Sequence, residues 1–291
     1  MRSSEHGQDR DRGQTAAWDV ARPARPISIA GVGMAGFRGH TTGPIELRVV
    51  PHPALTLVVE FGDGPLVVDD ALGRRELGGL VAGLAPDAVR LRGSDIECVE
   101  VRLTPQAAHT VLGVRPGELP RAVVALDELW GRGASRIREQ LHDAATWEDR
   151  FASVETLLAG RGDVGLAMHP EVAWAWRRIV ASRGAARVED LAVELGWSRK
   201  RLWTRFGSQV GLPPKRAARL VRFHHAARRL ALGHPPARVA ADCGYVDQSH
   251  LHREVVAFSG ATPTTLAGDQ EFAADHAGFA RNGTFVQDPP G

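Results

Sequence analysis

Two short runs of the chain carry side chains whose types and spacing suit the reading of hydrogen-bond edges. They are SRKRLWTRF (Ser198–Phe206) and DQSHLHREV (Asp247–Val255). At about 100° per residue, Leu202, Phe206 and Val210 share one helix face. Lys200, Arg201 and Thr204 fall on the opposite face, with Trp203 on the flank. In the second run Leu251, Val255 and Phe258 share the apolar face. Ser249, His250 and Arg253 point away from it, and Gln248 stands at the N-terminal end. Lysine and arginine donate to guanine O6 and N7, and glutamine pairs with adenine. A helix held by its apolar face, with such a polar half projecting, can enter a major groove. For either run alone, an ordinary helical pair with a wet face is the competing reading.

The two runs belong to an internal repeat. Leu191, Ala192, Gly196 and Trp197 match Val239, Ala240, Gly244 and Tyr245 at an offset of 48, and Leu202, Phe206, Gly211 and Pro214 match Leu251, Val255, Gly260 and Pro263 at an offset of 49. Each copy has helix-turn-helix logic. Ala192 and Ala240 are small where two helices approach, Gly196 and Gly244 stand where the first helix ends, and Ser198 and Asp247 can cap the second. Between the copies, PPKRAARLVRFHHAARRLAL reads as a helix from Pro214 to about Leu232, with Leu220, Phe223, Ala227 and Leu230 inward and Lys215, Arg219 and Arg222 on a stripe suited to phosphates. Such a helix spans roughly 27 Å, and with its flanking turns it could set two recognition helices about 34 Å apart, one turn of DNA.

Charge separates the chain in the same way. From Pro170 to Leu266 there are 16 Lys and Arg against 7 Asp and Glu, a net of +9; Met1–His169 carries a net of −4 and the tail from Ala267 a net of −3. A basic domain beside an acidic one suggests a polyanion partner, although a solvated charged surface accounts for charge alone. Cys98 and Cys243 make neither a disulfide framework nor a metal-type pair, and no apolar stretch approaches membrane-helix length. The charged N-terminus has no secretory apolar run, so a cytoplasmic protein is expected.

The elements that position these residues fall into four segments: a flexible arm (1–25), a β-rich domain with a helical hairpin (26–163), an all-helical domain (168–267) and a flexible tail (268–291). Strands are expected from about Ile45 to Leu103, as in LTLVVEF before Gly62-Asp63-Gly64-Pro65. Thr104-Pro105 reads as a cap and first turn of a helix to about Leu112. Arg121–Leu126 reads as a last strand, Ser135–Ala144 and Thr146–Ala159 as an antiparallel helix pair, and Gly160–Gly165 as a linker.

Over Val188 to Leu266 the chain resembles the AraC/XylS-type family of bacterial regulators, on LAVELGWSRKRLWTRF, AADCGYVDQSHLHREV and SGATP. The resemblance implies two helix-turn-helix units joined by a long linker helix and seated in successive major grooves. It implies base contacts from Lys200, Trp203, Thr204, Gln248, Ser249 and Arg253, with phosphate contacts expected from Arg199, Arg201, Lys215, Arg219 and Arg222. Val255 departs from the Phe of many members. Less specifically, RVVPHPALTLVVEFGDG and VRLTPQAAHTVLGV are similar to the cupin-like barrel or sandwich that serves such regulators for sensing and dimerisation. The implied partners are a double-stranded DNA operator, a small-molecule effector, RNA polymerase and a second copy of the chain, paired through the hairpin at about 134–160, with no membrane.

An enzyme reading finds little to build on. His40, His52 and His109 are scattered, without the clustered ligands of a cupin oxygenase, so no metal, cofactor or catalytic residue is expected. Cys98 lacks an activating neighbour and reads as a strand residue packing inward, and Cys243 as core. His250 and His252 diverge on a helix, His224-His225 reads as linker-helix filling, and Trp174 and Trp176 as packing. No Walker motif, Rossmann fingerprint or nucleophile elbow occurs. A cupin-type enzyme fused to a DNA-binding module, or a protein-binding adaptor, are the alternatives.

Overall fold

The computed structural model describes residues 18–39, 45–64, 66–84, 89–119, 122–162, 167–268 and 279. Most of the expected arm and tail (1–17, 269–278 and 280–291) and His40 lie outside the described residues.

The N-terminal part is built from β1 (Trp18–Ala21), β2 (Val32–Gly39), β3 (Ile45–Arg48), β4 (Leu55–Glu60), β5 (Leu66–Asp70), β6 (Gly73–Leu77), β7 (Gly79–Ala82), β8 (Arg90–Gly93) and β9 (Glu97–Leu103). Helix α1 (Pro105–Leu112), a 3-10 turn (Pro116–Glu118), β10 (Val124–Ala125), α2 (Leu126–Trp130), α3 (Arg132–Asp143) and α4 (Trp147–Gly162) follow. The strands form two antiparallel sheets, ordered β1-β2-β9-β4-β7-β10 and β3-β8-β5-β6. Alternation along β9 shows how they pack. Cys98 joins Phe37, Val58, Leu80 and Val68 in an apolar cluster shared by the two sheets. Val99, Val101 and Leu103 face the other way and meet the helices. The cupin likeness itself rests on the sequence resemblance.

Three details differ from the sequence reading. Trp18–Ala21 is not flexible arm but an edge strand paired with β2, Trp18 opposite Gly39. Strand β2, VGMAGFRG, was not expected, because its glycines dilute the strand pattern. The segment read as a last strand forms only the two-residue β10. The helix pair does form: Arg150 is buried beneath it, donates from Nε to the Leu141 carbonyl at 2.9 Å and lies over the Phe61 ring at 4.7 Å.

The C-terminal part is all helix: α5 (Pro170–Ala181), α6 (Val188–Glu194), α7 (Arg199–Val210), α8 (Pro214–Ala231), α9 (Pro236–Asp242), α10 (Gln248–Ser259) and α11 (Pro263–Ala267). Helix α8 buries Ala217, Leu220, Val221, Phe223, Ala226, Ala227 and Leu230, more than one stripe, because α5, α7, α9, α10 and α11 all pack around it. Each large aliphatic or aromatic side chain so buried contributes about 1.5–3 kcal/mol relative to exposure. Trp176 is core, with its ring 6.5 Å from that of Phe206. One apolar cluster runs from the outer face of the larger sheet through α1 and α4 into this helical domain.

Candidate nucleic-acid interface

The helix pairs α6–α7 and α9–α10 are built alike. Gly196 and Gly244 follow the first helix of each pair with φ of +63° and +71°, the left-handed region that favours glycine. The Ser198 hydroxyl then accepts from Arg201 N at 3.2 Å, and the Asp247 carboxylate accepts from His250 N at 2.6 Å, so each second helix starts on a side-chain cap. Leu202, Phe206 and Val210 are buried on α7, as are Leu251 and Val255 on α10.

The projecting faces stay open. Arg199, Lys200, Arg201, Trp203 and Thr204 are exposed on α7, Trp203 to 58% despite its size. Gln248, Ser249 and Arg253 are exposed on α10. Their local contacts are modest. Arg199 lies 3.7 Å from Glu189, Arg201 lies 4.5 Å over the Trp197 ring, and Arg253 donates to the Ser249 carbonyl at 3.3 Å. Lys215 is exposed at the start of α8. His250 is half-buried, its ring 5.2 Å from that of Tyr245, so it belongs less to the open face than the sequence suggests.

Arg219 and Arg222 form a hub with the buried carboxylate of Glu254. Arg219 Nε donates at 2.8 Å, Arg222 Nε and Nη2 at 3.1 and 2.9 Å, and the Tyr245 hydroxyl at 3.1 Å. Burial alone would lower the Arg222 pKa, but the hydrogen bonds and charge of Glu254 outweigh it and the net shift is upward. For Tyr245, burial first and then the Glu254 charge raise the pKa. The hub ties α10 to α8 and so sets the angle of the second helix-turn-helix. Its sequence signal was available: Glu254 stands three residues after Leu251 and beside Val255, inside the apolar stripe.

The β-domain docks at the far end of α7. The 3-10 turn lies so close that a Cβ on Gly117 would strike the Ser208 and Gly207 carbonyls. His109, buried on α1, hydrogen-bonds through Nε2 to the Gln209 carbonyl at 2.7 Å, and the Gln209 side chain accepts from His169 N at 2.8 Å. Burial lowers the His109 pKa, against the raising effect of that bond. The ring of His52 meets that of His224 edge-on at 4.3 Å. The Gly117 and His109 contacts lie at the C-terminal turn of α7, away from the exposed residues of its N-terminal half, and the His52 contact reaches α8. Among the described residues no group of three or more His, Cys, Asp or Glu could hold a metal ion, and no helix is long and apolar enough to cross a membrane. Cys98 and Cys243 are both buried.

Residues 191–268 match the family model of a helix-turn-helix domain. No curated protein matches the chain. Among solved structures, ToxT from Vibrio cholerae is similar at 10% identity, covering 82% of this chain and 98% of its own, with a TM-score of 0.49. The C-terminal domain of AraT, a response regulator from Geobacillus stearothermophilus, is similar at 21% identity over 35% of this chain and 86% of its own, with a TM-score of 0.33. A probable AraC family transcriptional regulator from Rhodopseudomonas palustris is similar at 23% identity over 36% of this chain and 98% of its own, with a TM-score of 0.32. Residues 191–268 are a helix-turn-helix domain.

Proposed function

We propose that the protein reads its operator by inserting α7 and α10 into successive major grooves on one face of the duplex. Lys200, Trp203 and Thr204 read bases from the first helix, and Gln248, Ser249 and Arg253 from the second. Arg199, Arg201 and Lys215 contact phosphates; Arg219 and Arg222 serve mainly to hold Glu254. The observation that carries the reading is the shared construction of the two helices: each is capped, buried along one face and bare along the other. The β-domain senses a small molecule, acts without catalysis, and passes its state to α7 through the contacts at His109 and Gly117. The protein works beside the chromosome in the cytoplasm, with RNA polymerase as a further partner. A homodimer through α3 and α4 would use their polar outer faces, because Ile137, Leu141, Phe151, Val154 and Leu158 are already buried within the chain.

Selection from a random DNA pool at modest ionic strength, followed by a salt titration of the enriched sequence, tests this. Enrichment of a defined site is expected, with affinity falling steeply as salt rises because phosphate contacts release counterions. No preference for any sequence over the pool would overturn the reading.

A further inference from the structure

In both helix-turn-helix units the aromatic residue after the turn glycine lies under an arginine. The guanidinium carbon of Arg201 is 4.5 Å from the centroid of the Trp197 ring, and that of Arg222 is 4.7 Å from the centroid of the Tyr245 ring. The two arginines have different fates. Arg222, on α8, is held by the buried Glu254 carboxylate, which also takes the Tyr245 hydroxyl. Arg201, on α7, is exposed and forms no ion pair among the described residues. Trp197 is half-buried and braced from behind. It packs against the apolar cluster of the helical domain, and the His169 ring meets it at 6.0 Å. His169 is fixed in turn: its Nδ1 stands 2.6 Å from a Glu171 carboxylate oxygen, and its backbone N–H donates to the Gln209 side chain at 2.8 Å. A guanidinium can rest its face on an indole while its N–H groups, which lie in its plane, stay free. An arginine held in this way keeps its donors for phosphate oxygens and loses less side-chain freedom on binding than an unsupported one.

We propose that Trp197 is a positioning residue for DNA binding: its ring holds the Arg201 guanidinium at the start of α7, ready for a phosphate, and itself touches neither base nor phosphate. The proposal rests on the reading of Arg201 as a phosphate contact. Tyr245, at the same place in the repeat, is a structural tie instead, because its arginine is taken up by Glu254.

Fluorescence anisotropy of the full chain with the selected operator and with a duplex of random sequence, across a salt series, tests this. Trp197→Leu keeps apolar bulk but lacks the π-face. It should weaken binding to both duplexes by about two- to fivefold, the range of an exposed cation–π contact, because a phosphate contact carries no sequence information. Trp197→Tyr and Trp197→Phe, which keep a ring in the packed position, should retain most of the affinity. In an Arg201→Ala background Trp197→Leu should cost nothing further. A loss that persists in that background, or equal losses for Leu, Tyr and Phe, would mark a packing role and overturn the proposal. A loss confined to the operator would mark a base contact and overturn it as well. If Arg201→Ala weakens binding and Trp197→Leu does not, the phosphate contact stands and the positioning role fails. If Arg201→Ala changes neither affinity nor salt slope, the phosphate reading falls and the proposal with it.

Discussion

Replacing Glu254 should unlock the second helix-turn-helix from the linker helix, and the structure sets the size of the loss. The carboxylate is 2% exposed and accepts from Arg219, Arg222 and Tyr245. Arg219 is 45% exposed, so after the change it turns to water and its share stays on the surface scale of about 1 kcal/mol or less. Arg222 is 21% exposed and Tyr245 5% exposed, so both remain stranded. Removing one partner of a buried ion pair costs about 3–5 kcal/mol, and a hydrogen bond to a charged group is worth about 1.5–3 kcal/mol. Glu254→Ala should therefore cost about 3–5 kcal/mol. Glu254→Gln, which keeps one acceptor and the shape, should cost about 2 kcal/mol on the same scale. Urea unfolding of the full chain, followed by tryptophan fluorescence, measures both. A double-mutant cycle with Arg222→Met should give a coupling above about 1.5 kcal/mol. The same Arg222→Met should leave the salt slope of DNA binding unchanged, whereas Arg201→Ala should lower it by about 1. A loss under about 1 kcal/mol for Glu254→Ala would refute the hub.

Three other outcomes follow from the same geometry. Burial holds His109 below its ordinary 6.5, so the unfolded chain takes up its proton first. The stability His109 contributes is thus present above pH 6.5 and lost as pH falls toward its folded value, and His109→Gln should flatten that part of the pH–melting curve; parallel curves would remove His109 from the domain contact. Burial raises Glu60 to about 7 despite Arg138 at 3.2 Å, so the folded state holds the proton longer and stability falls as pH rises from 4.5 to 7. Glu60→Gln should gain on the unmodified chain by up to about 3 kcal/mol between pH 4.5 and pH 8, read by thermal unfolding at each pH, and a constant difference would contradict the assigned burial cost. Gly117→Val should push the 3-10 turn off α7 and speed hydrogen exchange in the last turn of that helix; unchanged exchange there would mean that the docking is not tight.

The helical domain was largely legible because its signals are local. Caps at Ser198 and Asp247, glycines at 196 and 244 and apolar residues at helical spacing act within a few residues of one another, and the repeat states them twice. The β-domain was less legible because sheet partners are distant in sequence. VGMAGFRG carries little strand pattern, yet it pairs with β9 along its length and leaves room at Gly36 for the Trp147 ring. That Arg219 and Arg222 meet Glu254 was not read from the sequence, because a basic stripe does not point to its internal acceptor and Glu254 lies on another helix. Phe279 could not be placed from sequence at all, since nothing around it marks a core position; only the fold brings it beneath Arg102.

Methylation interference in the major groove of the selected operator measures most directly whether one polypeptide reads two grooves. The account predicts two patches of interference on one face of the duplex, centred about 10 base pairs apart, with Arg253→Ala erasing contacts in only one of them. A single patch, or the uniform fading of both with Arg253→Ala, would contradict it.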